Sequence, residues 1–137
     1  MSYEAEQIRI REFGRSIPRE GYKIFDDRYA RPHFIYHSLN GVKAVPLDTW
    51  LTAQKRMGRE SQSTKYVTGF HVFTSEEEVR KYAGRFQINY LRQVVRVEYR
   101  RARRKRNSSV VLADEIRVST KNWRGRLPLI AYQGKES

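Results

Sequence analysis

Short apolar runs separated by turn residues organise the chain from residue 22 onward, and most alternate with polar residues as strands do. The runs cover 22–25, 33–37, 42–45, 67–73, 94–99, 110–118 and 127–132. Within the run 94–99, the spacing of Val95, Val97 and Tyr99 points these side chains toward a core. Arg96 and Glu98 then face solvent, so the run predicts a half-exposed strand.

Residues that favour turns lie between several of these runs. Residues 26–28 (Asp-Asp-Arg) predict a turn after the first strand. Asn40 and Gly41 predict a hairpin, because both tolerate the positive φ that tight turns require. Pro128 has no backbone N–H to donate, so the last run is expected at an edge of the sheet.

Two segments carry helix signals instead. Pro46 and Asp48 suit a helix start, which predicts a short helix near residues 46–54. Thr74 and Glu77 have the spacing of a capping box at the start of a second helix. Apolar residues then recur at helical spacing, namely Val79, Tyr82, Ala83 and Phe86.

The order of these elements predicts an α+β fold, a mostly antiparallel sheet with two short helices in a single domain. A chain of 137 residues with 39% hydrophobic residues is sufficient for one core. We expect residues 1–20 to form a flexible N-terminal arm, 21–133 the α+β domain and 134–137 a C-terminal tail.

Composition excludes several kinds of site. The chain has no cysteine, so disulfides, zinc–thiolate sites and thiol nucleophiles are impossible. His33 and His37 lie about 13 Å apart on one strand face, too far to share an ion, so no metal site is expected. No stretch approaches the roughly 20 apolar residues of a membrane span, so we expect a cytoplasmic protein without a membrane partner.

Positive charge is concentrated in one segment. Residues 92–106 hold eight basic residues and one acid, which gives +7 of the formal net charge of +13. If the runs 94–99 and 110–118 pair, residues 100–109 form the loop between them, and its arginines can bind phosphates bidentately. The basic residues are Arg92, Arg96, Arg100, Arg101, Arg103, Arg104, Lys105 and Arg106.

A second basic stretch contains Lys121, Trp123, Arg124 and Arg126. Its Trp123 is the favoured aromatic for stacking on unpaired bases, since Tyr99 is expected in the core. Tyr90 is a further stacking candidate. The charge indicates a polyanionic partner, such as RNA, DNA or a nucleoprotein complex, and leaves an acidic protein, an acidic lipid surface or a purely solubilising role open.

Asp114 and Glu115 are adjacent on a predicted strand, where an unpartnered buried carboxylate is costly. One of them must be exposed or paired with a nearby arginine. The alternative is that Glu115 is a catalytic carboxylate at a cleft.

Four segments resemble small proteins encoded by tailed bacteriophages, and together they extend over most of residues 22–118. The segments are 36–41, 48–51, 69–73 and 112–116. The resemblance implies a phage protein that works in the cytoplasm of a bacterial host. It implies no activity.

The order of elements also resembles the compact ADP-ribosyltransferases, in which a histidine precedes a turn and a glutamate lies on a later strand. The resemblance implies that His37 binds the nicotinamide ribose of NAD, that residues 73–74 occupy the second motif, and that Glu115 orients the acceptor. His71 would complete the candidate catalytic set. Ser38 stands where the family has glycine, and the second motif lacks its tyrosine.

Three functional hypotheses follow. The leading one is a small basic protein, without enzymatic activity or cofactor, that binds nucleic acid through the arginine segment. The second is an ADP-ribosyltransferase-like enzyme that uses NAD. The third is a phage inhibitor that binds a host protein complex.

Overall fold

The computed structural model describes residues 16–35, 44–53, 69–85, 87–104, 108 and 110–133. Their sheet is antiparallel throughout and is accompanied by two short α-helices and a 3-10 helix, which confirms the α+β prediction. The elements are β1 (Arg19–Arg28), β2 (Arg31–His33), β3 (Leu51–Thr52), β4 (Phe70–Phe73), α1 (Glu76–Ala83), β5 (Arg92–Arg104), β6 (Val110–Arg117), α2 (Thr120–Arg124), β7 (Leu127–Pro128) and the 3-10 helix Leu129–Tyr132.

The sheet closes on itself as a ring of strands. Strand β1 pairs with β5 over eight residue pairs and also meets β4 at Tyr22 and Phe73. Strand β6 pairs with both β5 and β4. The order β1–β5–β6–β4 therefore returns to β1, while β2, β3 and β7 extend the ring at its rim.

One core fills the ring and a second lies outside it. The inner cluster includes Phe25, Val72, Val95, Val97, Tyr99, Ala113 and Ile116. On the outer face, Val79 and Ala83 of α1 pack in a cluster with Ile24, Phe73 and Val94. The interior is therefore lined by the alternate residues that the sequence pattern assigned to it.

Gly21 allows the ring to close. A Cβ atom on this residue would lie 2.5 Å from Val72 Cγ1 and 2.7 Å from the Phe73 carbonyl oxygen. Strand β1 passes so close to β4 here that no side chain fits between them.

The turn predicted at residues 26–28 is wrong, because β1 continues through them to Arg28. The turn follows at Tyr29 and Ala30, whose φ values are 56° and 62°. Asp26 and Asp27 do not form the turn because arginines hold their carboxylates within the strand. Arg126 donates to Asp27 at 2.9 Å, and Arg28 lies 3.7 Å from Asp26.

The helix predicted near residues 46–54 is also wrong for its described part. Leu51 and Thr52 form β3, which pairs with β6. Asp48 adopts a φ of 58° and accepts hydrogen bonds from the backbone N–H and hydroxyl of Thr120, at the start of α2. Asp48 thus stabilises the start of a helix that lies 72 residues further along the chain, a contact that sequence analysis did not predict.

Other boundaries shift by smaller amounts. The side chain that caps α1 is Ser75, which accepts from the Glu78 N–H, instead of Thr74. The last run is a strand only at Leu127–Pro128 and continues as the 3-10 helix. The predicted arm at 1–20 is described only from Ser16 onward, and its last two residues, Arg19 and Glu20, belong to β1. Residues 1–15, the hairpin turn at 40–41, Phe86 and the tail at 134–137 lie outside the described residues.

Candidate nucleic-acid interface

The arginine segment is mostly a strand. Strand β5 includes all thirteen residues from Arg92 to Arg104, and Arg104 pairs with Val111 of β6. The predicted loop at 100–109 is therefore wrong for residues 100–104, which continue the ladder. Lys105 and Arg106 follow at the connection and lie outside the described residues.

The alternation of side chains is interrupted halfway along this hairpin. Tyr99 and Ala102 both pack on the inner core, as do Ala113 and Ile116 on the opposite strand. In a regular strand, one residue separates neighbouring side chains on the same face. Here two residues separate them, namely 100–101 on β5 and 114–115 on β6. Arg101 has a φ of 55° at this step. The interruption leaves consecutive charged residues on both strands without forcing a charge into the core.

The charges at the interruption are paired across the two strands. Arg100 donates to Glu115, and Arg103 donates to Asp114 at 3.3 Å. The expectation that at least one carboxylate of the acidic pair meets an arginine is confirmed for both. Because the carboxylates are only 13–17% exposed, these pairs are partly desolvated and also hold the hairpin in register.

Trp50 extends this polar layer. The Arg100 guanidinium lies 3.9 Å from the centroid of its ring, and that of Arg117 lies 5.2 Å away. Arg117 in turn donates from Nη2 to both carboxylate oxygens of Glu98, at 2.6 and 2.9 Å, and from Nε at 3.1 Å. Sequence analysis assigned Trp50 no such role, because the contact depends on β3 lying beside β6.

Two further arginines of the segment, Arg92 and Arg96, also face carboxylates or a tyrosine. Arg92 Nε lies 4.0 Å from the buried Asp26. Arg96 is exposed, donates to the Tyr22 hydroxyl at 3.2 Å and lies 3.9 Å from Glu20. Much of the charge counted in the sequence is therefore balanced locally.

Arg96 also borders a pocket of about 240 Å³ on the outer face. Lys121 of α2 and Glu76 of α1 contribute charges of opposite sign to its lining. Tyr132 lies there as well, and burial, aided by the nearby Glu76 carboxylate, raises the pKa of its hydroxyl. With both signs of charge represented, the pocket shows no clear preference for an anion.

Positive charge is in excess at the end of the hairpin. Between residues 99 and 113 the chain has six basic residues and no acid, and the next two residues, Asp114 and Glu115, pair with two of the six. Counted together, these residues have an excess of four positive charges. Arg104 is exposed at the last described position of β5. We call residues 100–106, together with Asp114 and Glu115, the hairpin end.

The structure moves Trp123 out of the candidate interface. Its side chain is 4% exposed, its Nε1 donates to the Ala30 carbonyl at 3.0 Å, and Arg126 stacks on the ring at 4.3 Å. The prediction that it stacks on bases is therefore wrong. Tyr99 is buried as expected, whereas Tyr90 is 76% exposed. Lys121 and Arg124 are exposed on α2.

Lys23 is an unusual cation of the inner face. It lies between Gly21 and Phe25 on the side of β1 that faces the core, and its Nζ donates to the His71 carbonyl at 2.9 Å. Burial lowers its pKa to about 8. The ammonium group thus bridges β1 to β4 where the two strands diverge.

Among the described residues, the structure shows no contact between His71 and Glu115, two of the candidate catalytic residues. His71 is exposed on β4 and lies opposite Leu112, three residues or about 10 Å along β6 from Glu115. Glu115 is engaged by Arg100, which gives it a structural role. His37 lies outside the described residues.

Comparisons with protein families, curated proteins and solved structures found no match, so the interface is interpreted from its own geometry. Within the described ranges, no helix has the length and apolarity to span a membrane. In that same part of the chain, no three potential metal-ligating side chains lie together.

Proposed function

We propose that this protein binds nucleic acid through the hairpin end and has no enzymatic activity. The observation that carries the proposal is the excess of four positive charges there, presented at the end of two long paired strands. Phosphates attract such a cluster, and arginine binds them bidentately.

The ion pairs within the hairpin end support this function. Arg100–Glu115 and Arg103–Asp114 join β5 to β6 just before the strands turn. They hold the backbone that carries Arg104, so fewer degrees of freedom are lost at this residue when phosphate binds. The paired arginines are thus a scaffold, and the basic residues that follow them are the contacts.

The resemblance to phage proteins supports a place for this activity in the cytoplasm of a bacterial host. Nucleic acid is the most abundant polyanion there, and a protein of net charge +13 associates with it at low salt. Free nucleic acid and a nucleoprotein complex share this phosphate chemistry.

The test is binding of labelled RNA and DNA, single-stranded and duplex, by fluorescence anisotropy across a salt series. The combined variant Arg104→Ser, Lys105→Ser, Arg106→Ser should weaken binding and reduce the salt slope by about 0.9 per lost contact on duplex and about 0.7 on single strands. The proposal fails if the wild-type protein does not bind at low salt, or binds independently of salt.

A matched control removes the same charge elsewhere. The variant Arg80→Ser, Lys81→Ser, Arg85→Ser also lowers the net charge by three, on the exposed side of α1 and just beyond it. Its affinity should fall much less. Equal loss in both variants would show that only net charge matters and would overturn the assignment to the hairpin end.

A further inference from the structure

The opposite end of β5 carries a second unusual feature, the turn between β1 and β2. Arg28 pairs with Arg31, so Tyr29 and Ala30 form a two-residue hairpin turn in which both have positive φ. Such turns favour Asn-Gly, because a bulky side chain is strained in the left-handed region. Strained residues of this kind cluster at functional sites.

Packing does not compensate for the strain at Tyr29, because its side chain is 95% exposed. A second exposed tyrosine lies close by. Asp26 pairs with Arg92, and the Asp27 N–H donates to the Leu91 carbonyl at 2.7 Å. Tyr90 precedes Leu91 in a turn that the Arg92 N–H closes by donating to the Asn89 carbonyl at 3.2 Å, so it lies at the same end of β5 as Tyr29. Two exposed phenol rings therefore share this end of the ring of strands.

The same end has an excess of positive charge. Trp123 binds the Ala30 carbonyl, which places α2 and its exposed Arg124 beside the turn. The two carboxylates of β1 at this end, Asp26 and Asp27, already face arginines. The basic residues at this end are Arg28, Arg31, Arg92, Arg124 and Arg126, five against these two acids.

We infer that Tyr29 and Tyr90, flanked by Arg31 and Arg124, stack on unpaired bases of a single-stranded nucleic acid. We call this region the tyrosine end. Exposed aromatic rings combined with a basic surface are how proteins bind single strands, whereas the base faces of a duplex are already stacked. The inference rests on the proposed function and specifies its ligand as single-stranded.

The length of β5 sets the size of the bound strand. Its thirteen residues separate the tyrosine end from the hairpin end by about 40 Å. A single strand that contacts both ends needs on the order of ten nucleotides. A shorter nucleic acid reaches only one end, so its affinity should be lower than its number of phosphates alone would predict.

Exposed apolar residues near the tyrosines suggest an alternative partner for the tyrosine end. Ile88, Leu91 and Leu127 are also exposed at this end, and such a patch suits a protein surface or a second copy of this chain. The excess of arginine favours nucleic acid, because a surface with five basic residues against two acids would repel the same surface of a second copy.

The decisive variant is Tyr29→Asn, tested in the full chain with a single strand of about 12 nucleotides and the same sequence as a duplex. Asparagine accepts positive φ, so the thermal midpoint should rise by roughly 2–6 °C. Affinity for the single strand should fall at least about fivefold, since each stacked base contributes that much or more. Duplex affinity should change less than about twofold by the same reasoning.

Tyr90→Ser should produce the same selective loss, and the matched controls Tyr29→Phe and Tyr90→Phe should retain single-strand affinity because the ring remains. If both ring-removing variants bind the single strand like the wild type while the hairpin-end variant does not, the inference is wrong and the proposed function stands. If the wild type binds no nucleic acid, both fail. If Tyr29→Asn instead dissociates a wild-type dimer in sedimentation, the occupant is a second copy and the inference is overturned.

Discussion

The two ends of β5 present positive charge in different ways. At the hairpin end, Arg100 and Arg103 are held by carboxylates and the excess charge follows them directly in the sequence. At the tyrosine end, the charges come from separate elements and surround two exposed rings. A charge cluster along one strand attracts phosphate of any sequence or form, whereas rings among charges also distinguish stacked from unstacked bases.

The largest loss of stability is expected from a substitution of Gly21, because the ring of strands that carries both ends of β5 closes at this residue. Gly21→Ala places a methyl group 2.5 Å from Val72 Cγ1 and against the backbone of Phe73, and neither can move without opening the ring. We expect a loss of about 3 kcal/mol or more in the free energy of unfolding, measured by urea denaturation.

Gly84→Ala is the matched control for that substitution. Gly84 follows α1 with a φ of −64°, and a Cβ atom added to it would meet no atom of the described residues within 4 Å. Stability should stay the same or rise slightly. Equal destabilisation in both variants would contradict the close approach of β1 and β4.

A smaller effect, confined to the hairpin end, is expected for Glu115→Gln. The substitution removes the partner of Arg100, whose side chain is 30% exposed and still stacks on Trp50, so the cost should be about 1–2 kcal/mol. Hydrogen exchange should accelerate at residues 100–104 and 111–115 and remain slow in β1.

Glu20→Gln provides the comparison for an exposed pair. Glu20 lies 3.9 Å from Arg96 and both side chains are more than half exposed, so its loss should cost less than about 0.5 kcal/mol. If Glu115→Gln is equally mild, the paired arginines do not hold the hairpin.

The smallest effect concerns Asp48, which anchors the start of α2, the helix that carries Arg124. Hydrogen bonds from the Thr120 hydroxyl and backbone hold the pKa of its carboxyl below the ordinary value of 3.8. Its contribution is therefore present above pH 3.8 and is lost as the pH falls through the folded-state pKa.

Asp48→Asn keeps a residue that tolerates positive φ but removes this charge. At about pH 7 the thermal midpoint should fall by roughly 1–3 °C. As the pH falls through the folded-state pKa, this difference should disappear, so that the variant and the wild type unfold at the same temperature in calorimetry. A difference that persists in acid would contradict a role for the ionised carboxylate.

Local patterns in the sequence predicted several elements well. Alternation over 94–99 identified the strand and the inward direction of Val95, Val97 and Tyr99, because side chains on a strand alternate regardless of what it packs against. The helical spacing of Val79 and Ala83 likewise predicted the buried face of α1. Both signals depend only on neighbours in the chain.

The candidate site depended on contacts between distant residues. Asp27 resembles a turn residue until Arg126, 99 positions away, is known to bind it. Trp123 lies in a basic stretch, yet the ring is buried because α2 packs beside Ala30. No local sequence pattern includes these partners, so the predictions for both residues were wrong.

By itself, the sequence determined the excess of positive charge, the antiparallel strands and the first helix. Composition and side-chain alternation are properties of the chain alone. The tertiary structure decided which carboxylates meet which arginines, which aromatics remain exposed and where the strained turn lies. Closure of the ring brings together strands that are far apart in sequence. Only this closure determines which charged side chains form ion pairs and which remain exposed to solvent.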